Sequence, residues 1–442
     1  MERYESYKGS GVEWIGEIPK EWEVKKLSYC FDNIGSGTTP TSGKSEYYFN
    51  GTINWLQTGD LNDGDILNTS KKITQKALYD YPTLRMYPVG SLVIAMYGAT
   101  IGKTGVLQID TTTNQACCVL ARSNSVNSKF AFYWLNSITK HVISLAYGGG
   151  QPNINQEMIR SLKIQLPPSE EQTAIANYLD RKTAEIDALI AQKQRLIELY
   201  QEEKTAIINQ AVTQGVDPNI TFKDTGINCL GEIPEGWEIK KLKYETYKIG
   251  DGIHTTPNYI SGTGIFFING MNLSGRKISI TENTLSVPIG EYEKYKIDLN
   301  VGSILISLNG TIGNLAIYNG EKVIFGKSAA YIEIKEKIYN LFLYYVLQTQ
   351  YALNYFEDSF SGTTIKNLSL HTLRNTPLPL PSICDQQSIV QLIETEIARV
   401  DAKIAKTQRI IELQKEYRTA LISEVVTGKI KVSHLLDKEM AL

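Results

Sequence analysis

The 442-residue sequence lacks any run of about eighteen apolar residues, the length a helix needs to cross a bilayer, so no membrane span is expected. Its opening, Met1-Glu2-Arg3-Tyr4-Glu5, leads into polar residues rather than the apolar stretch of a secretory signal, and a cytoplasmic protein is the expectation. Cysteine is scarce: Cys30, Cys117, Cys118, Cys229 and Cys384 are odd in number, and their spacing fits neither a disulfide framework nor a zinc pattern. His141, His254, His371 and His434 stand alone, so no metal site is expected and the thiols are read as reduced. Excess charge is also missing, with 45 basic against 47 acidic side chains. Phosphate affinity rests on Lys and Arg, so this balance taken alone argues against a nucleic-acid partner. Its distribution softens that exclusion. Residues 1–168 carry 16 basic and 14 acidic groups, whereas 169–215 carry 5 and 8.

Catalytic signatures are missing too. There is no Asn-Pro-Pro-aromatic tetrapeptide, no glycine-rich cofactor loop after a strand, and no cluster of carboxylates with lysine. Asp60, Asp63 and Asp65 are close together, but a calcium loop would need a glutamate at its twelfth position, which is Lys71. Gly98-Ala99-Thr100-Ile101-Gly102-Lys103-Thr104 is one residue short of a phosphate-binding P-loop, and the corresponding Gly310-Thr311-Ile312-Gly313-Asn314 has no lysine. A tight turn between strands is the better reading, and the chain is expected to catalyse nothing itself.

What is present is duplication. Gly16-Glu17-Ile18-Pro19 and Trp22 return as Gly231-Glu232-Ile233-Pro234 and Trp237. Gly90–Gly98 returns as Gly302–Gly310, both short β-branched runs between glycines that read as buried strands. Phe130–Leu135 and Leu341–Val346 read as short packed helices. The offset between copies is 215 at Trp22, 212 at Gly98 and 214 at Leu166, so frames are kept while loops differ.

Each copy closes on a long amphipathic stretch. The first opens at Pro167-Pro168-Ser169, where Ser169 and Gln172 have capping-box spacing; the second opens with Ser382 as N-cap. Apolar residues recur at Ile175, Leu179, Ile186, Leu189, Leu196, Tyr200 and Ile207, then at Ile389, Ile393, Ile397, Val400, Ile404, Ile411 and Val425. This spacing predicts a coiled-coil seam. A helix from Ser169 to Thr213 would be roughly 65 Å long. Two such helices leaving different globular units are expected to pair antiparallel.

The expected fold class is therefore α+β: two similar mixed α/β domains joined by two long helices in an antiparallel coiled coil, with a pseudo-twofold repeat. The expected boundaries are 1–166 and 216–379 for the domains, 167–215 and 380–428 for the helices, and 429–442 for a tail. A duplicated surface suits a target with its own approximate twofold symmetry, of which duplex DNA is the commonest. The loops suited to DNA contact carry Thr38, Thr39, Lys44, Lys103, Gln151 and Asn153 in the first copy, and His254, Thr255, Thr256, Thr363, Thr364 and Lys366 in the second. Carboxamides there can read adenine bidentately, and lysines can meet phosphates. The competing reading is a duplicated, non-catalytic protein-binding adaptor, which fits the near-neutral charge better and the unlike loops on alike frames less well.

Taken in order, Gly-Glu-Ile-Pro-x-x-Trp at 16–22 and 231–237, Gly98–Lys103, Asn114-Gln115-Ala116, Leu166–Gln172 and the duplicated helices resemble the specificity subunits of type I restriction–modification enzymes. The second copy departs from the first, with Lys327-Ser328 read in place of Asn114-Gln115 and Asp385-Gln386 in place of Glu171-Gln172. The resemblance implies two target-recognition domains, each reading one half of a bipartite double-stranded DNA site, with the helices setting the gap. It also implies docking of two methyltransferase subunits for adenine N6 methylation and of restriction subunits for cleavage. S-adenosylmethionine, ATP and Mg2+ would then belong to those partners.

Overall fold

The structure, a computed structural model, describes residues 2–146, 153–360 and 366–432. The chain divides into two compact units, Met1–Lys193 with Arg409–Leu442 and Gln194–Gln408.

The first unit is built on a five-stranded sheet in the order Asn33–Ser36, Cys117–Ala121, Leu92–Ala95, Thr104–Leu107, Gly64–Ile66, antiparallel except for the last pair. Its strands Cys117–Ala121 and Leu92–Ala95 are apolar at every position because both faces are covered. Leu92, Ile94, Cys118 and Leu120 face a core shared with the helix Ser128–Ser137, while Val93, Ala95, Cys117 and Val119 face a second core with Leu56, Leu61 and Tyr87. That helix starts where the Asn127 side chain accepts from the Lys129 and Phe130 N–H groups. A smaller cluster gathers Tyr47, Trp55, Ile73, Ala77 and Leu84.

The second unit repeats the plan with four antiparallel strands, Thr246–Asp251, Ala329–Ile334, Ile304–Ser307 and Leu315–Ile317. The helix Asn340–Val346 covers one face. The other face meets Ile268, Leu273, Val323 and Phe325.

Two long helices, Ser169–Gln214 and Ile383–Val426, contribute to both units. In the first unit, Ile175, Leu179 and Ile186 share a core with Leu421, Ile422 and Val425, and Arg418 Nε lies 2.9 Å from Asp187 Oδ1. In the second, Ile208 and Val212 share a core with Ile389 and Ile393, and Lys204 Nζ lies 2.7 Å from Asp401 Oδ1. In each unit the start of one helix thus meets the end of the other, an antiparallel pairing.

The seam differs from the sequence expectation in detail. Ile197 and Ile208 are buried, whereas Leu196, Tyr200 and Ile207 are only half-buried, as are Ile397 and Ile404 in the second helix. Buried positions Ile186, Ile197 and Ile208 recur every eleven residues, as do Val400, Ile411 and Ile422. Eleven residues make three turns at about 3.67 per turn, close to a straight helix, whereas a heptad seam requires underwinding to 3.5.

The capping box expected between Ser169 and Gln172 also does not form. The buried Gln172 carboxamide turns into its own unit, accepting from the Asn127 N–H at 2.8 Å and donating to the carbonyls of Ser125 and Pro167 at 3.0 and 2.9 Å. Gln386 repeats this, accepting from the Tyr339 N–H at 2.8 Å and donating to the carbonyls of Lys337 and Pro381 at 2.9 and 3.0 Å. Stapling a helix start to its domain leaves this amide no reach back to the cap. Ser382 does cap the second helix, accepting from the Asp385 N–H at 3.2 Å.

Both long helices end at a glycine with left-handed backbone, Gly215 (φ 76°) and Gly428 (φ 73°), the usual residue just past a helix end. A Cβ at Gly215 would lie 3.2 Å from Trp237, and one at Gly428 would lie 2.5 Å from Pro19 and 3.2 Å from Trp22. The Pro-x-x-Trp opening of the second copy therefore closes the first helix, and that of the first copy closes the second.

Candidate nucleic-acid interface

The sheet register places one end of each sheet in common. In the first unit Ser36 pairs with Cys118, Cys117 with Ala95, and Ile94 with Thr104, so the loops after 36, after 95, before 104 and before 117 share one end. Thr38 and Thr39 lie on the first of these. Gly37 holds that loop close, since a Cβ there would fall 1.8 Å from the Thr113 carbonyl oxygen, and its N–H donates to Thr113 Oγ1 at 3.0 Å. The Thr38 carbonyl accepts from Trp55 Nε1 at 3.2 Å, and the exposed Thr39 hydroxyl donates to Gln115 Oε1 at 2.7 Å.

The Gly98–Lys103 segment is a turn between the antiparallel strands Leu92–Ala95 and Thr104–Leu107, with left-handed backbone at Gly98 and Gly102. Lys103 is exposed and makes no side-chain hydrogen bond or ion pair among the described residues. Asn153 bridges to Tyr97 at the foot of this turn, so Asn153 and Lys103 are brought together with Thr38, Thr39 and Gln115. Lys44 lies with the small cluster instead, 3.9 Å from Glu46 and over the Tyr47 ring at 5.6 Å. Nearby, the Thr41 hydroxyl and N–H hold the Tyr81 phenol below its ordinary range.

The second unit gathers its loops at the same sheet end. Gly252 repeats Gly37, with a Cβ 1.9 Å from the Phe325 carbonyl oxygen. It is followed by His254, whose Nε2 lies 3.0 Å from Asp251 Oδ2, and by the exposed Thr255 and Thr256. Lys294, with the Thr255 hydroxyl, holds the Tyr295 phenol below its usual range. Asn309 bridges to Asn367 as Tyr97 does to Asn153, which places the neighbouring Lys366 at this end; its Nζ is 3.5 Å from Glu357. Gln151, Thr363 and Thr364 lie outside the described residues.

The structure shifts one equivalence read from the sequence. Met96 N–H donates to the Ala116 carbonyl and Leu308 N–H to that of Ser328, each at 2.9 Å or less, while Asn114 and Gly326 donate to Leu56 and Ile268. Lys327 therefore stands at the place of Gln115, not of Asn114. Three residues of this end were missed in the loop reading: Tyr97, Gln115 and Lys327. The last two were visible only as a family marker and a departure from it, and Tyr97 as the close of a strand.

Each domain is also locked to its helix. Tyr133 donates to Asp180 Oδ1 at 2.7 Å, with Lys129 Nζ 2.8 Å from Asp65 and 3.7 Å from Asp180. In the second unit Tyr345 and Arg276 both bond Glu394. Burial, then the bond to a carboxylate, pushes both phenols well above their usual range, so each stays a donor at neutral pH.

The family described as type I restriction modification DNA specificity domain matches residues 19–199 and again 234–415. The chain belongs to this family. Its match in two tandem copies makes it a type I specificity subunit with a role in DNA sequence specificity. It is 27% identical to the MjaVIII specificity subunit of Methanocaldococcus jannaschii over 95% of each chain, and 32% identical to the Escherichia coli EcoBI specificity subunit over 50% of this chain and 43% of that one. Two solved structures share the fold. One is a chain from a study of complex assembly and conformational transition of the type I R-M system (TM-score 0.63, 18% identity, 93% of this chain and 99% of that one). The other is the HsdS subunit of Thermoanaerobacter tengcongensis (TM-score 0.55, 17% identity, 93% and 98%). Among the described residues of this specificity subunit, no group of three or more His, Cys, Asp or Glu side chains could hold a metal, and no helix is long and apolar enough to cross a membrane.

Proposed function

We propose that each unit reads one half of a bipartite double-stranded DNA site through the loops at its shared sheet end, and that the paired helices fix the gap between the halves. The observation that carries this reading is the recurrence of one loop cluster on two alike frames whose exposed residues differ. The contact residues are Thr38, Thr39, Lys103, Gln151 and Asn153 in the first half, joined by Lys44 from the neighbouring small cluster, and His254, Thr255, Thr256, Thr363, Thr364 and Lys366 in the second. Lysines meet phosphates and fix position; carboxamides and hydroxyls meet base edges and specify.

The subunit itself is non-catalytic. Two methyltransferase subunits dock on the helices and methylate adenine N6 with S-adenosylmethionine, and restriction subunits using ATP and Mg2+ join them to cut unmodified DNA in the cytoplasm. Family membership supports this assignment of partners.

Exchanging residues 20–160 for those of a relative is expected to change one half-site only, read by sequencing the methylated sites of the assembled enzyme. Changes in both halves would count against the assignment. Inserting four residues in one helix is expected to alter the gap while both half-sites persist.

A further inference from the structure

At the shared sheet end, the same strand residue is flanked on both sides in each unit. In the first, the Ala95 N–H donates to the Lys103 carbonyl at 2.8 Å, and on its other side Ala95 pairs with Cys117, two residues beyond Gln115. In the second, the Ser307 N–H donates to the Asn314 carbonyl at 2.9 Å, and Ser307 pairs with Ala329, two residues beyond Lys327. Each unit thus sets one lysine and one carboxamide across a single strand, in opposite order: Lys103 with Gln115, and Asn314 with Lys327. The glycine turn that carries Lys103 is one residue shorter in the second copy and ends in Asn314.

Neither lysine has an ion-pair or hydrogen-bond partner for its ammonium among the described residues, and both are exposed. Several other lysines differ: Lys44, Lys76, Lys129, Lys204 and Lys240 are each within 4 Å of a carboxylate, as is Lys366 at this same end. Asp63, which approaches the Lys103 turn, is engaged through Oδ1 by the Thr104 N–H at 2.8 Å. A flexible ammonium left unpaired beside a tight turn suits a phosphodiester oxygen as a point-charge contact.

We propose that Lys327 is the phosphate anchor of the second unit, the functional counterpart of Lys103 in the first. The anchor has crossed one strand between the copies, and two strand spacings are about 10 Å. The two units therefore hold their half-sites in different registers relative to their own sheets, with the carboxamide and the cation exchanging sides. This proposal rests on the DNA-reading function above.

The test uses the enzyme assembled with its methyltransferase subunits, a duplex carrying the methylated site, and binding measured across a salt series. Lys103→Ala and Lys327→Ala are each expected to weaken binding several-fold and to lower the salt slope by about one, with the methylated sequence unchanged. Placing the first unit's arrangement in the second (Asn314→Lys with Lys327→Gln) is expected to restore the slope. Both lysines are exposed, so thermal unfolding should match the wild type. An unchanged slope in Lys327→Ala, with wild-type binding steeply salt-dependent, would overturn the proposal alone. A changed base in the methylated sequence would also overturn it, by making Lys327 a base reader. A wild-type complex that fails to bind DNA would instead remove the reading beneath it.

Discussion

Single side chains connect each recognition domain to its helix. Gln172 and Gln386 are buried carboxamides whose three bonds tie a helix start to a loop that opens another helix. Removing the Gln172 carboxamide leaves one backbone N–H and two carbonyls without it in a water-poor site. Gln172→Met, which keeps the length, is expected to cost about 2–3 kcal/mol, read from the urea midpoint; Gln172→Glu should cost at least as much, since a carboxylate cannot donate to the carbonyls of Ser125 and Pro167. A loss within the scatter of surface variants would show that water replaces the amide. The sequence marked Gln172 as special through its place three residues after Ser169, but local spacing pointed to a cap. Two of its three partners, Asn127 and Ser125, lie more than forty residues away, and no local rule reaches them. The same limit hid the match of Lys327 with Gln115, which only the hydrogen bonds to Met96 and Leu308 settle.

At the level of elements, the long helices were legible in extent, because caps, terminal glycines and apolar recurrence are all local signals. Which apolar residue faces inward was less legible. Leu196 and Ile197 are adjacent, as are Ile207 and Ile208, and a heptad count selects the first of each pair while the structure buries the second. The reason is cumulative phase: a straight helix drifts about 20° per heptad against a 3.5-residue repeat, and over about three heptads the drift reaches roughly 60°, more than half of the roughly 100° between neighbouring residues, enough to hand the core to the neighbour. Ile197→Ala is therefore expected to cost about 2–4 kcal/mol, and Leu196→Ala roughly half as much, by thermal or urea unfolding of the complex. The reverse order would restore the heptad seam. The glycine-bounded turns were legible as turns for a different reason, since left-handed backbone at Gly98, Gly102, Gly310 and Gly313 leaves few other residues possible.

For the whole molecule, the consequence of duplication is a closed order of parts. The first unit takes its helix pairing from residues 169–193 and from Arg409 onward, and the opening of the chain seals the end of the second helix. The Lys431 N–H donates to the Glu2 carbonyl at 3.0 Å, and the Tyr7 hydroxyl donates to the Gly428 carbonyl at 3.2 Å. The opening of the second copy does the same for the first helix, through Trp237 against Gly215. Read along the sequence, each opening belongs to the domain that follows it; in space it also completes the helix that precedes it in cyclic order. No linear reading of the first opening reveals this, because what precedes it is the far end of the chain. A chain opened between Asp217 and Pro218 and rejoined through residues 433–442 to Glu2 keeps every pairing described above. Such a permutant is expected to unfold within a few degrees of the parent, to assemble with methyltransferase subunits, and to methylate the same sites. Opening instead between Lys193 and Gln194 interrupts the helix Ser169–Gln214 and is expected to abolish assembly. A stable permutant opened at 217 that methylates altered sites would mean that the covalent order of the halves, and not their packing, sets what is read.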